Sequence, residues 1–379
     1  MWSQTYGGTG DDVAYSLVAT SDGGYALVGG SLFVKIDALG NAQWNRTYEG
    51  SAQSLVATSD GGYAMAGTTG SSGSGSTDFW LAKTDVSGNV QWNKTYGGAL
   101  IDEAYSLIAT SDGGYALAGD TWSFGAGEND FWLVKTDALG NMEWNRTYGG
   151  AGDDAAHSLI ATSDGGYAIT GSTVSFGYDG AWLVKTDSLG NMQWNRTYGG
   201  AGERTLSVVT TSDGGYTIAG YTYSLTAGDS DFWLVKTDSL GNMQWNITYG
   251  GDRSDTPWSL IAISDGGYAV AGTTGVYGLG WGGDFWLVKT DALGNMQWNK
   301  TYGGTGNEWL YSLIATSDGG YAMAGWTDSF GAGGKDFWLV KTDEFGVYPE
   351  YSSWLVPALV LTATAFIIIN KKRLLPKRS

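Results

Sequence analysis

The sequence predicts an all-β protein: a seven-bladed β-propeller of four-stranded blades, closed by its N-terminal strand and followed by one C-terminal transmembrane helix. Three observations predict it. Ser111-Asp112-Gly113-Gly114-Tyr115 recurs six more times, from Ser21, Ser59, Ser163, Ser212, Ser264 and Ser317, at spacings mostly near fifty residues. Each copy lies among four short strand-like runs. Beyond the last copy the composition turns apolar and then basic. A fixed period of that size marks a repeat architecture, and four strands per period fit a propeller blade.

The third repeat shows the unit. Run A is 105–110, run B 115–119, run C 131–136 and run D 142–148. Aromatic and β-branched residues dominate them, and Gly-rich or Asp-rich turns bound them. Asp112-Gly113-Gly114 joins A to B, because a tight hairpin needs positive φ and glycine supplies it at little cost. Asp137-Ala138-Leu139-Gly140-Asn141 joins C to D. No run has the period of an amphipathic helix. Burial on both blade faces explains runs without alternation, such as Phe232-Trp233-Leu234-Val235. A β-solenoid, the competing architecture, would need shorter coils and capped ends.

The termini argue for closure. Residues 2–8 form a D run without its A, B and C, whereas the last repeat has A, B and C but no D. Moving the first D run onto the last repeat completes seven blades and leaves no open ring edge. The first two copies are only 38 residues apart, from Ser21 to Ser59. Blade one has only Gly30-Ser31 between B and C, and blade two begins from Glu49-Gly50-Ser51-Ala52, so the disc is expected to be thin or open there.

The expected organisation is a propeller over 1–348, a linker over 349–353, a transmembrane helix over 354–370 and a basic cytoplasmic tail over 371–379. No charge falls between Glu350 and Lys371. Sixteen apolar-rich residues span roughly 24 Å as a helix, and Trp354 with the Lys/Arg cluster at 371–378 extends the reach as interface anchors. The positive-inside rule puts the tail in the cytoplasm and the propeller outside, at the cell membrane. A buried core helix is the alternative for this segment. Met1 is followed at once by Trp2-Ser3-Gln4-Thr5-Tyr6-Gly7-Gly8, which already matches the repeat, so the start reads as truncated, mature or trimmed.

Composition narrows the chemistry. The chain has no Cys and one His, His157, which excludes disulfides, thiol nucleophiles and Cys-based zinc sites. A net charge of −18 argues against nucleic acid as a partner.

The motifs Trp-Asn-x-Thr-Tyr-Gly-Gly, Ser-Asp-Gly-Gly-Tyr and Asp-Phe-Trp-Leu-Val-Lys-Thr-Asp resemble the repeat of archaeal and bacterial exported β-propeller proteins, which in archaea often end in a hydrophobic anchor with a Lys/Arg tail. The resemblance covers nearly the whole chain. It implies a surface-displayed propeller, and it implies no defined activity and no catalytic residues.

Comparing the repeats singles out several positions. Every run A carries a serine: Ser16, Ser54, Ser106, Ser158, Ser207, Ser259 and Ser312. Four residues earlier stands an acid in six of them: Asp12, Asp102, Asp154, Glu203, Asp255 and Glu308. Run A is innermost, so these acids form a broken ring near the channel mouth. They suit Ca²⁺, which takes clustered oxygens, or a polar ligand. Alternatively each carboxylate accepts N–H bonds in its own turn. No cofactor is otherwise expected. The serines read as intra-blade hydrogen-bonding residues, since only His157 could activate one. The B-to-C loops vary between repeats and carry Trp122, Phe124, Phe176, Tyr178, Tyr223, Tyr277, Trp281, Trp326 and Phe330. Exposed aromatics among glycines suit carbohydrate or cell-surface protein recognition; packing of each Ser-Phe-Gly onto its blade is the plainer alternative. Asn45, Asn93, Asn145, Asn195, Asn246 and Asn299 each open an Asn-x-Thr sequon on run D, the outermost strand, where glycans would face solvent. The recurring lysines at 35, 83, 135, 185, 236, 289 and 341 each precede an Asp by two and read as same-face ion pairs.

The function expected is a membrane-anchored binding or adhesion module acting through the face that carries the D-to-A and B-to-C loops. A glycoside hydrolase or lyase using two rim carboxylates, and a structural envelope protein, are the alternatives. No convincing catalytic constellation is present, so the expectation is a non-enzyme.

Overall fold

The computed structural model describes residues 1–70, 77–177, 179–224, 229–275 and 283–348. The expected transmembrane helix, linker and tail lie outside them. Among the described residues there are 26 strands and no helix, and so none long and apolar enough to cross a membrane.

In the third repeat strand A is Asp102–Ala109, B is Tyr115–Thr121, C is Asp130–Thr136 and D is Met142–Tyr148. They pair in sequence order, each antiparallel to the next. The turn between A and B requires glycine: Gly113 has φ +86°, where a Cβ is strained. Gly140 closes the turn from C to D with φ +74°, and a Cβ there would strike the ring of Trp92 in the preceding repeat.

The expected seven separate blades are corrected to six. Five sheets have four strands, and one has six. The physical reason lies in the two shortened connections. With almost no loop between B and C, the first repeat runs straight through as Tyr25–Ile36. With almost no linker from D to A, the next strand continues as Ala42–Ala57, serving as D of one repeat and A of the next. Two repeats therefore share one sheet. The thin sector is not a gap.

Closure does use the N-terminal strand. Trp2–Tyr6 pairs antiparallel with Asp336–Lys341 and completes the sheet of the last repeat.

Three kinds of contact hold neighbouring repeats together; the first and third recur in all seven repeats, the second in four. At the axis the run-A serine of one repeat accepts a hydrogen bond from a backbone N–H of the next strand A. Ser106 Oγ accepts from Leu159, Ser158 from Val208, and Ser312 from Leu17 across the closure. The seven such bonds, at 3.1–3.3 Å, form an unbroken cycle. The serines therefore bond between repeats and not within one. In mid-blade the strand-C Phe packs on the next strand-C Trp, as in Phe131–Trp182 (4.7 Å between centroids) and Phe285–Trp338 (4.6 Å). These rings are fully buried and supply much of the apolar area. At the outer edge the strand-D Tyr donates its hydroxyl to the turn carbonyl of the next repeat, as Tyr148 does to Gly190 and Tyr6 to Gly40.

The lysines do form ion pairs, but with a partner other than the Asp two residues on. Lys185 Nζ lies 2.7 Å from Asp164 of the Ser-Asp-Gly-Gly turn, and the other six repeats match it. Asp187, two residues after Lys185, instead caps its own turn by accepting from Leu189 and Asn191. The Lys–Asp pair ties strand C to the turn between A and B.

Lys185 is buried and Asp164 half-exposed. The expected cost of Asp164→Ala therefore lies between that of an exposed and a buried pair, about 1–2 kcal/mol. A differential scan should show Tm lowered by about 1–3 °C; an unchanged Tm would show that the pair contributes nothing.

Acid should weaken all seven pairs together. Hydrogen bonds from lysine and threonine hold Asp22 and Asp213 down to about 2. A lowered folded pKa gives stability that is present above the unfolded value of about 4 and lost as pH falls from there toward 2. Melts at pH 5, 4, 3 and 2 should fall accordingly, and a flat profile would contradict the assignment.

A candidate binding funnel on the loop face

Strand A runs from the D-to-A loop toward the Ser-Asp-Gly-Gly turn, so the residue just before each serine faces the axis near the variable loops. Those seven positions hold Tyr15, Gln53, Tyr105, His157, Leu206, Trp258 and Tyr311. With the seven serines they line a cavity of about 500 Å³ on the axis. A second cavity, of about 610 Å³, shares His157, Leu206 and Trp258 and adds Gly202, Arg204, Tyr221, Tyr223 and Thr256. Gly202 and Tyr223 belong to the D-to-A and B-to-C connections, so the axial cavity leads out to the loop face.

Rings crowd the inner cavity. Tyr311 meets Tyr15 edge-on at 4.9 Å and Trp258 at 5.0 Å between centroids, and Tyr105 lies 6.0 Å from His157. Burial, with Arg204 nearby, holds the His157 imidazole down to about 4, so it is neutral at pH 7. No Asp, Glu, Lys or Arg lines the axial cavity, in a chain of net charge −18. In the sequence the slot before each serine varies, with His157 standing where Tyr105 and Tyr311 stand in other repeats. Taking that slot through all seven repeats was the signal that would have revealed the collar.

The predicted loop aromatics fall into three groups. Trp122, Phe124, Phe176, Tyr223 and Phe330 are exposed, between 42% and 54%. Three of them also rest on a strand-C tryptophan: Phe124 on Trp132, Phe176 on Trp182 and Phe330 on Trp338. They are packed on one side and open on the other. Trp326 is buried at 8%, stacked against Trp309 with Lys335 over its ring, so it is not a presented aromatic. Tyr178, Tyr277 and Trp281 lie outside the described residues.

The six acids do not converge. Each accepts a backbone N–H from its own turn, Asp12 from Gly8, Asp102 from Gly98, Asp154 from Gly150, Glu203 from Gly200, Asp255 from Gly251 and Glu308 from Gly304. Among the described residues no three or more His, Cys, Asp or Glu side chains come together in a way that could hold a metal ion.

Five of these acids do face a carboxylate that the sequence reading missed, at the head of the preceding strand C: Asp78 with Asp102, Asp130 with Asp154, Asp231 with Asp255, Asp284 with Glu308, and Asp336 with Asp12. The signal was the Asp that opens the Asp-Phe-Trp motif. Each pair closes around the first glycine of Tyr-Gly-Gly, where a Cβ would overlap both carboxylates, as at Gly97 and Gly303. Desolvation, then the hydrogen bond to Glu308, pushes Asp284 up to about 7. A raised carboxyl in a cleft is often catalytic. Here the arrangement repeats five times and neither axial cavity includes it, so its role is in packing.

The sequons sit on the exposed outer strand, with a structural partner inside. Asn145 Oδ1 accepts from Trp132 Nε1, as do Asn195, Asn246 and Asn299 from theirs.

No family model and no curated sequence matches the chain. Solved structures do resemble it. Sqt1 from Chaetomium thermophilum is 12% identical, with TM-score 0.53, over 90% of this chain and 84% of that one. The extracellular domain of the putative one component system BT4673 from B. thetaiotaomicron is 12% identical, with TM-score 0.51, over 89% of this chain and 42% of that one. BamB from Moraxella catarrhalis is 13% identical, with TM-score 0.48, over 86% and 85%. At these identities the likeness to the first two, with TM-scores above 0.5, bears on the fold alone and agrees with a β-propeller of repeated blades.

The paired carboxylates predict a second pH effect of opposite sign. For Asp284 the folded pKa lies above the unfolded value of about 4. Its contribution is fully present below about 4 and lost as pH rises through about 7. Asp284→Asn keeps a donor toward Glu308 at every pH. Its Tm should exceed the unmodified protein's at pH 8 and match it near pH 4; equal curves throughout would remove the shared proton.

Proposed function

We propose that this protein is a membrane-anchored binding module whose loop face points away from the cell and takes a neutral, hydroxyl-rich ligand, a saccharide, into the axial funnel. The observation that carries the reading is the inner axial cavity of aromatic rings and hydroxyls, with no charged side chain in its lining, which opens toward the variable loops past the single cation Arg204. Aromatic faces cover the apolar face of a sugar ring, and hydroxyl and amide groups match its hydroxyls. The lack of charge disfavours ionic ligands. Constant blades with variable loops also suit recognition carried on a rigid scaffold. Glycans on the outer sequons would leave the funnel clear. The anchor rests on sequence, the uncharged stretch 351–370 followed by five cations.

That the rim acids are tied into turns and stand outside the axial lining favours binding over the alternative of a rim-carboxylate hydrolase.

The test is an array of polysaccharides and cell-surface proteins, run with and without Ca²⁺. A neutral glycan should bind, without need of Ca²⁺. Trp258→Ala should weaken binding about tenfold or more while leaving Tm within a few degrees, whereas Trp326→Ala should chiefly lower Tm. Failure to bind any glycan, or unchanged affinity in Trp258→Ala, would falsify the saccharide reading.

A further inference from the structure

The face opposite the funnel carries an apolar rim that the binding reading leaves unused. It comes from the turns between strands C and D. Leu39, Leu139, Leu189, Leu240, Leu293 and Phe345 are 58–72% exposed there. A half-exposed methionine stands three residues beyond four of them, as Met192 does beyond Leu189. Single exposed leucines need no explanation; a large apolar side chain at the same corner of six repeats, Leu in five and Phe in one, does. Nothing in the turn demands it, since the seventh turn has Ser87 at that position. The turn's own requirements are met by the Asp cap and the glycine, as at Asp187 and Gly190.

Repeat symmetry puts these side chains at one height around the axis, on a ring in a single plane. The described chain also leaves from this ring. Phe345 is one of the six, and Tyr348, the last described residue, packs on Tyr302 with 5.6 Å between ring centroids. The sequence then allows only 349–353 before the apolar stretch that begins at Trp354. Five residues reach at most about 18 Å. Whatever 354–370 enters therefore lies within that reach of Tyr348.

Charge at this rim is partly balanced. Four of the seven turn carboxylates have a cation of the preceding strand D nearby, Arg46 for Asp85, Lys94 for Asp137, Arg146 for Asp187 and Arg196 for Asp238.

We infer that this rim rests on the lipid surface, its leucines and Phe345 dipping into the interface, so that the propeller stands with its axis upright and its funnel presented outward. The inference rests on the anchor reading above and adds a defined orientation. A propeller tethered only by its tail would tumble, whereas one seated on six apolar contacts is held.

The chain has no cysteine, so one label can be placed at a time. Full-length Leu189→Cys and Trp122→Cys, each carrying an environment-sensitive fluorophore, are reconstituted into phosphatidylcholine vesicles with and without lipids bearing a nitroxide at the interface. Flotation reports anchoring. The label at 189 should shift to the blue and lose at least half its emission to the nitroxide lipid, while the label at 122 should lose less than a tenth. Flotation with neither label quenched would leave the anchor standing and overturn the seated orientation. Quenching at 122 and not at 189 would reverse it. Failure to float would overturn both the anchor and the orientation.

Discussion

Everything in this molecule depends on one repeated constraint: each strand A must bond to the next around the axis. The serine supplies that bond seven times, and the cycle runs through the closure as Ser312 to Leu17 with the same geometry as within the ring. A serine is small enough to let inner strands approach, and its oxygen satisfies an N–H that strand pairing leaves over. Each bond is worth only about 1 kcal/mol. Their effect is to set register, so that the larger side chains behind them, Phe on Trp at four interfaces, meet in the same way.

That constraint explains how seven repeats tolerate six sheets. A blade is defined by pairing along its strands, whereas the ring is defined by contacts between inner strands. Shortened loops fuse two repeats into one sheet without breaking the cycle, because Leu55 still donates to Ser16 and Leu107 to Ser54. The rigid ring then separates two faces. One gathers the D-to-A and B-to-C connections and the axial funnel; the other gathers the short turns and the apolar rim.

Much of the fold was legible in the sequence. The Ser-Asp-Gly-Gly-Tyr turns, the four strands per repeat and the displaced first strand all have local causes, in glycine φ, β-propensity and pairing. The blade count was not, because whether strands fuse depends on how two loops meet in space. The site was legible in smaller part. Acids four residues before the serine were correctly singled out as constrained. Their partners, Asp78, Asp130, Asp231, Asp284 and Asp336, lie in another strand, and no local spacing reveals a contact between repeats. Trp326 read as a loop aromatic by position, yet Trp309 and Lys335 cover it. The lysines illustrate the same limit: the nearest acid in sequence, Asp187, caps a turn, and the true partner of Lys185 is Asp164, 21 residues away.

The most direct test of this account is native-state amide exchange at the seven N–H groups that the serines hold: Leu17, Leu55, Leu107, Leu159, Val208, Leu260 and Leu313. A closed cycle predicts that all seven exchange at one slow rate set by global unfolding. If Leu17 exchanged orders of magnitude faster than Leu107 and Leu159, the ring would be open at its seam, and the account of a single clasped ring would be wrong.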